Sequence, residues 1–274
     1  MGFQVNICIV TGSRADLGLL HYPTKLLQED SYFKGQVLNL WGCSFIDAYG
    51  HADAFFTTER PDMILVLGDR FEILAVVTAA HLQRIPIAHI GGGDVTEGSY
   101  DDAMRDCISR MANIHFTTSF SATARLCALG YRNVHLVGNP GVDYIRHADW
   151  RRERPIAEPY VVVSYQAETI DDTVNLEAVE AAINGRRAVW IAPNPDRGSE
   201  RIPATESYSH DAFLTLLYYC TEFIGNSSAM FYEAPEMGVK CRLIGKRQRG
   251  RVVPWSGEGR CSERIRDVLR LWPQ

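Results

Sequence analysis

Short hydrophobic runs alternate along the chain with stretches of helical period. Residues 5–10, Val-Asn-Ile-Cys-Ile-Val, open the series as a strand. A turn over 11–14 contains Gly12, and a helical pattern over 17–28 carries Pro23 in its first turns. Further strands are expected at 36–40, 63–67, 86–90, 115–118 and 134–137, with helices at 46–56, 71–82, 100–112 and 121–129. The run Met63-Ile64-Leu65-Val66-Leu67 is apolar throughout, which suits a strand buried on both faces of a parallel sheet. Between 148 and 159 the period lapses into a charged, proline-bearing stretch that reads as a linker. The pattern then restarts, with strands at 160–164, 188–192, 222–224 and 240–244 and helices at 173–184, 210–220, 226–237 and 262–271.

This repeated βα order predicts an α/β fold of two Rossmann-like, doubly wound domains, 1–147 and 160–274, with a central cleft. In such sheets ligands lie beyond the carboxyl ends of the strands. Arg14, Asp69, Asp94 and Asn139 each follow an apolar run and so belong at those ends.

Composition adds exclusions. The chain has 274 residues, is 46% hydrophobic and 22% charged, and carries a formal net charge of -5, which excludes disorder, collagen-like repeats and coiled coils. A sequence pI near 5.9 leaves no basic footprint, so no nucleic-acid partner is expected. No segment approaches the roughly 18 consecutive apolar residues of a membrane span, so no membrane partner is expected either. The first residues lack the basic-then-apolar order of a secretory signal, and a cytoplasmic location follows as the expectation. The seven cysteines are irregularly spaced with no pair at zinc-knuckle spacing, and they read as reduced, mostly buried thiols.

Four features carry chemistry. Thr11-Gly12-Ser13-Arg14-Ala15-Asp16 joins a strand to a helix, where backbone N–H groups and Arg14 suit a phosphate; a plain strand–helix turn reads equally well. Asn226-Ser227-Ser228 offers hydroxyls and N–H groups at a second helix start, suited to a diphosphate or to ordinary capping. Glu233, further along, suits the paired hydroxyls of a ribose. Asp69, Asp94, Glu97, Asp101 and Asp102, with Arg105, cluster around strand ends and a helix start, fit for general acid–base work; Asp101 and Asp102 read equally as ordinary charge at a helix start. Gly245 to Arg251 is a glycine-flanked basic loop that can close on a phosphate or simply be solvated.

The ordered set resembles the hydrolysing UDP-N-acetylglucosamine 2-epimerase family, on the branch serving sialic- and legionaminic-type sugars. It comprises Thr11-Gly12-Ser13-Arg14-Ala15-Asp16, Leu67-Gly68-Asp69-Arg70, His89-Ile90-Gly91-Gly92-Gly93-Asp94 with Asp101-Asp102, Gly138-Asn139-Pro140-Gly141, Gly225-Asn226-Ser227-Ser228, Glu233-Ala234-Pro235 and the 245–251 loop. The resemblance implies the glycosyltransferase-B arrangement with UDP-sugar in the cleft and no metal or redox cofactor. A base removes the sugar's C2 proton while UDP leaves C1, and water adds to the resulting glycal. It implies catalytic roles for Asp69, Asp94 and Asp101 or Asp102, beside which Arg105 is the catalytic candidate of the cluster itself. It implies UDP-sugar binding by Arg14, Asn139, Asn194, Ser227, Ser228, Glu233, Arg247 and Arg251, and a homodimer.

Three positions depart from the family's pattern. Gly91 stands where members carry a Glu or His, Gln166, in Ser164-Tyr165-Gln166-Ala167-Glu168-Thr169, stands where a His is usual, and Asp106 follows Arg105 where the family usually has Arg-His. A glutamine holds a hydrogen bond but does not shuttle a proton. The chain is also shorter than typical members between 40 and 61 and between 194 and 211. The expected activity is hydrolytic 2-epimerisation of a UDP-N-acetylhexosamine. The alternatives are a non-catalytic nucleotide-sugar binding protein or partner subunit, and a glycosyltransferase of the same architecture.

Overall fold

The computed structural model describes residues 4–272 except 172, 195, 196, 204 and 205, and of Arg14 the backbone only. The chain divides into two compact units: one of 1–94, 101–146 and 254–274, the other of 95–100 and 147–253.

The first unit contains strands β1 (Val5–Thr11), β2 (Phe33–Asn39), β3 (Met63–Leu67), β4 (Ile87–Ile90), β5 (Ile114–Thr117) and β6 (Val134–Leu136). Its helices are α1 (Arg14–Leu19), α2 (His21–Glu29), α3 (Phe45–Glu59), α4 (Phe71–Leu82), α5 (Asp101–Met111), α6 (Phe120–Ala128) and α7 (Pro140–His147). The strands form one parallel sheet in the order β2-β1-β3-β4-β5-β6. Alternation sorts the side chains onto two faces. Ile7, Ile9, Met63 and Leu65 join one core with Leu20 and Leu27; Cys8, Val10, Ile64 and Val66 join the other with Phe56 and Val76. The order reverses between β1 and β3, which makes the carboxyl ends of those strands the switch point where such sheets bind ligands.

The second unit contains β7 (Val161–Ser164), α8 (Leu176–Ile183), β8 (Ala188–Trp190), α9 (His210–Tyr219), β9 (Glu222–Gly225), α10 (Ala229–Tyr232) and β10 (Cys241–Leu243). Its parallel sheet runs β10-β9-β7-β8, with the switch point between β7 and β9. Gly225 ends β9 at φ 136°, and a Cβ there would lie 2.0 Å from the carbonyl oxygen of Ser164. Only glycine fits where the two strand ends meet.

Several expectations are corrected. The helix expected over 17–28 breaks at Leu20, so that Pro23 falls in the first turn of α2, where its missing N–H costs no hydrogen bond. The helix expected over 226–237 shrinks to four residues, because Pro235 cannot donate to the turn before it. The helix α7 was not expected; Pro140 starts it and the Asn139 side chain accepts from Gly141 N at 2.9 Å.

The last helix, α11 (Cys261–Leu271), was expected in the second domain but belongs to the first unit. Buried Asp143 on α7 accepts from the N–H groups of Cys261 and Ser262 at 3.0 and 2.6 Å, and Leu269 and Ile265 enter the first core. The expected linker is not wholly solvated, since Trp150 is buried and its carbonyl accepts from Thr215. The cysteines are free, but only Cys8 and Cys261 are buried; Cys107, Cys127 and Cys241 are exposed. Among the described residues no helix is long and apolar enough to cross a membrane.

Candidate active site

In the first unit the acidic cluster assembles around one buried cation. Arg105 lies on the inward face of α5 with 1% of its side chain exposed. Its Nη2 donates to Asp69, which follows β3, and its Nη1 donates to Asp102, one turn earlier on α5. The same Nη1 donates to the carbonyl oxygen of Asp94 at 2.8 Å. Burial pulls the guanidinium's pKa down, but Asp69, Asp102 and Asp94 outweigh it and hold it above the ordinary value. The Asp94 carboxylate accepts from Thr118 Oγ1 at 3.1 and 3.3 Å. Asp101 opens the helix and is half-buried. Carboxylates at these strand ends can take and return protons, while the guanidinium holds Asp69 and Asp102 close together.

The 11–16 turn has a different use from the phosphate cradle considered for it. Asp16 accepts from the N–H groups of Gly12 and Ser13, both at 2.9 Å, and Ser13 Oγ accepts from Asp16 N. This capping box fills the two donors with the protein's own carboxylate. The signature Ser-x-x-Asp was there to be read. Burial raises the Asp16 pKa to about 6 against those hydrogen bonds. The Arg14 side chain lies outside the described residues. Asn139 is buried as the cap of α7, and its N–H donates to Trp255 O.

In the second unit the switch point is held by an amide network. Gln166 follows β7. Its N–H donates to Asn226 Oδ1 at 2.7 Å, and Asn226 Nδ2 returns a bond to the Gln166 carbonyl at 2.8 Å. Gln166 Oε1 accepts from Asn194 N at 2.8 Å, and Gln248 Nε2 donates to Asn226 O at 2.8 Å. Thus Gln166, Asn194 and Asn226 form one group beside Ser227 and Ser228. Sequence reasoning placed Asn226 only at a helix start and gave Glu168 and Gln248 no role of their own, since these contacts join strand ends distant in sequence.

The basic loop is anchored at both ends. Lys246 N donates to Glu168 Oε1 at 2.6 Å, and buried Arg247 donates to the Ala167 carbonyl at 2.6 Å. Arg251 donates to the Tyr232 hydroxyl at 2.7 Å, with its guanidinium 5.1 Å from that ring's centre. The adjacent Glu233 is buried, and burial pushes its carboxyl up to about 7. A solvated loop is thereby excluded for Arg247, while Arg249 is exposed and pairs with Glu97.

The segment 95–100 belongs to this unit because it packs on the same loop. Glu97 N donates to Arg249 O at 2.9 Å, and Ser99 Oγ lies 3.1 Å from Thr169 Oγ1. A Cβ on Gly98 would lie 2.3 Å from the Lys246 carbonyl oxygen and 2.5 Å from Arg247 Cα. Backbone atoms cannot step aside as a side-chain tip can. Gly98→Ala is therefore expected to destabilise the protein by about 2–3 kcal/mol, the upper end for overpacking, and to open the 246–251 loop. Thermal melting and limited proteolysis at Lys246 and Arg249 check this; an unchanged melting temperature with no new cleavage refutes it.

Residues 44–264 match the family model described as UDP-N-acetylglucosamine 2-epimerase. The chain is 30% identical to the polysialic acid biosynthesis protein P7 of Escherichia coli, over 72% of this chain and 58% of that protein. It is 24% identical to the hydrolysing UDP-N,N'-diacetylbacillosamine 2-epimerase of Legionella pneumophila, over 88% of this chain and 81% of that one. The chain spans less than two thirds of the E. coli protein's length. It also spans 58% of the UDP-N-acetylglucosamine 2-epimerase of Neisseria meningitidis serogroup B, with 29% identity. In fold it is similar to the crystal structure of UDP-GlcNAc 2-epimerase from Neisseria meningitidis bound to UDP-GlcNAc, with a TM-score of 0.79 at 14% identity. That alignment covers 98% of this chain and 100% of the other.

Proposed function

The chain belongs to the UDP-N-acetylglucosamine 2-epimerase family, and from that premise we propose that it is a hydrolysing 2-epimerase of a UDP-N-acetylhexosamine. The observation that carries this reading is buried Arg105, which gathers the carboxylates of Asp69 after β3 and Asp102 on α5 and holds the backbone carbonyl of Asp94 beside them. In the first step a carboxylate of this set takes the C2 proton. The C2–H electron pair forms the C1=C2 bond, and the C1–O pair departs with UDP. In the second step water adds its hydroxyl to C1, and a proton returns to C2 on the opposite face. Gly91 brings no side chain, so proton handling falls to Asp69, Asp94, Asp101 and Asp102.

Binding is proposed to rest on Ser227, Ser228, Arg247 and Arg251 for the diphosphate and on Glu233 for the ribose. Arg14, Asn139 and Asn194 are proposed to complete the contacts, Asn194 through its side chain, since its N–H is taken by Gln166. UDP-N,N'-diacetylbacillosamine is a natural second candidate, since relatives from Legionella and Campylobacter carry that substrate in their names. The E. coli relative is named for polysialic acid synthesis, and amino-sugar supply to such polymers is the proposed setting. A cytoplasmic location and a homodimer are part of the same proposal.

The test is free UDP measured against time with UDP-N-acetylglucosamine and with UDP-N,N'-diacetylbacillosamine, no acceptor present. UDP release is expected from the wild type. Asp69→Asn is expected to lower it about 100- to 10,000-fold, the contribution of a positioned acid or base. Release that requires a sugar acceptor identifies a transferase. No release from either sugar, with UDP still raising the melting temperature, identifies a binding protein or partner subunit.

A further inference from the structure

His89, on β4, is fully buried, yet both of its ring nitrogens are engaged. Its Nε2 lies 2.8 Å from the carbonyl oxygen of Gly68, and its Nδ1 lies 3.1 Å from Ser109 Oγ. A carbonyl oxygen only accepts, so Nε2 carries the proton and Nδ1 accepts from the Ser109 hydroxyl. Burial pulls the imidazole's pKa down to about 4, despite the Gly68 bond that raises it, so the ring is neutral near pH 7. With no exposed surface, the ring does not touch a substrate.

What it holds is the backbone at the end of β3. Gly68 sits at φ 81°, in the left-handed region, and its peptide sets the direction in which Asp69 leaves the strand. Ser109 and Arg105 are four residues apart and share one face of α5. One helix face therefore reaches Asp69 twice: directly through the guanidinium, and through hydroxyl, imidazole and carbonyl to the residue before it. Gly92 leaves the room for this. Its φ is not left-handed, but a Cβ there would lie 2.8 Å from Ser109 Oγ and 3.1 Å from His89 Nδ1.

We propose that Ser109 and His89 form a neutral relay that positions Asp69 for proton transfer, acting through the Gly68 carbonyl. The proposal rests on the role given to Asp69 above. Its variants are His89→Leu, His89→Gln and Ser109→Ala. The readouts are kcat and KM for UDP release, the melting temperature, and amide hydrogen exchange over 67–71.

His89→Leu is expected to cut kcat about 30- to 100-fold at little-changed KM, and Ser109→Ala about 5- to 10-fold, because misplacement of a reacting group costs rate steeply. His89→Gln, whose amide can donate to Gly68 and accept from Ser109, is expected to keep kcat within about 5-fold of wild type. Exchange over 67–71 should rise in the first two variants and not in the third. A kcat loss that vanishes once corrected for the folded fraction overturns the relay. So does a His89→Gln variant as inactive as His89→Leu, since the ring would then be handling a proton. If the wild type releases no UDP, the reading of Asp69 fails on its own, and the exchange data still decide: unchanged exchange in His89→Leu overturns the relay.

Discussion

Arg105→Met is expected to destabilise the protein by about 3 kcal/mol and to lower UDP release on the order of 1,000-fold. The side chain is 1% exposed and faces two carboxylates and a carbonyl. Removing it leaves Asp69 and Asp102 repelling each other and the Asp94 carbonyl without this donor. The usual cost of breaking a buried ion pair is about 3–5 kcal/mol. The lower end applies here because the Asp69 and Asp102 side chains are 20% and 33% exposed and can turn toward water. Arg105→Lys separates the two effects. Lysine restores the charge but lacks the fork that spans Asp69, Asp102 and the Asp94 carbonyl. It is expected to recover most of the stability and little of the turnover. Chemical denaturation and UDP release, measured on all three proteins, check both. A methionine variant with wild-type stability and turnover would show that the cluster is held by other contacts.

The elements that the sequence predicts to the residue are those whose pattern is local and unambiguous. The strand β3 is one continuous apolar run closed by Gly68, and α4 follows with nearly every side chain apolar, so both match expectation. Where chain ends meet across long separations, the sequence is silent. Asp143 and Ser262 are 119 residues apart, and nothing in either neighbourhood says that the last helix caps on α7. Prolines account for two of the remaining misses. Gly138-Asn139-Pro140-Gly141 carries no helical period of its own, although Asn before Pro is a helix cap followed by the helix's first residue. Pro235 cut short a helix that the periodicity alone would extend.

The site was legible in the same uneven way. Asp69, Asp94, Asp102 and Arg105 were all expected, and they meet. Their meeting follows from strand-end position and from the i, i+3 spacing of Asp102 and Arg105. The 11–16 turn shows the opposite case. The Gly12 and Ser13 N–H groups, which suit an external anion, are filled by Asp16, four and three residues along. Gln166 shows a third. Where the family usually has histidine it suggests a hydrogen-bonding group that carries no proton, but not which partners it holds: its backbone and amide oxygen tie Asn194 and Asn226 to the end of β7.

Glu233→Gln is expected to stabilise the protein at pH 8 while weakening UDP binding. Burial raises the Glu233 carboxyl from 4.5 to about 7. Because the folded state then binds its proton more tightly than the unfolded state, wild-type stability falls as pH rises from about 4.5 to about 7 and levels off above. The difference corresponds to on the order of 3 kcal/mol. Glutamine keeps the shape and never ionises, so the variant should lose this pH dependence and melt several degrees above wild type at pH 8, with a much smaller gap at pH 5. Its affinity for UDP should fall about 10-fold or more, since a neutral amide is a weaker acceptor than a carboxylate for the paired ribose hydroxyls. A buried carboxyl that destabilises the fold in its charged form, where a neutral isostere would serve, is expected only where the charge has a use. Melting curves at pH 5 and pH 8, with UDP affinity by calorimetry at pH 8, separate the outcomes. Stabilisation without loss of UDP affinity would remove Glu233 from the nucleotide site, and no change in either would place its titration outside the range that folding feels.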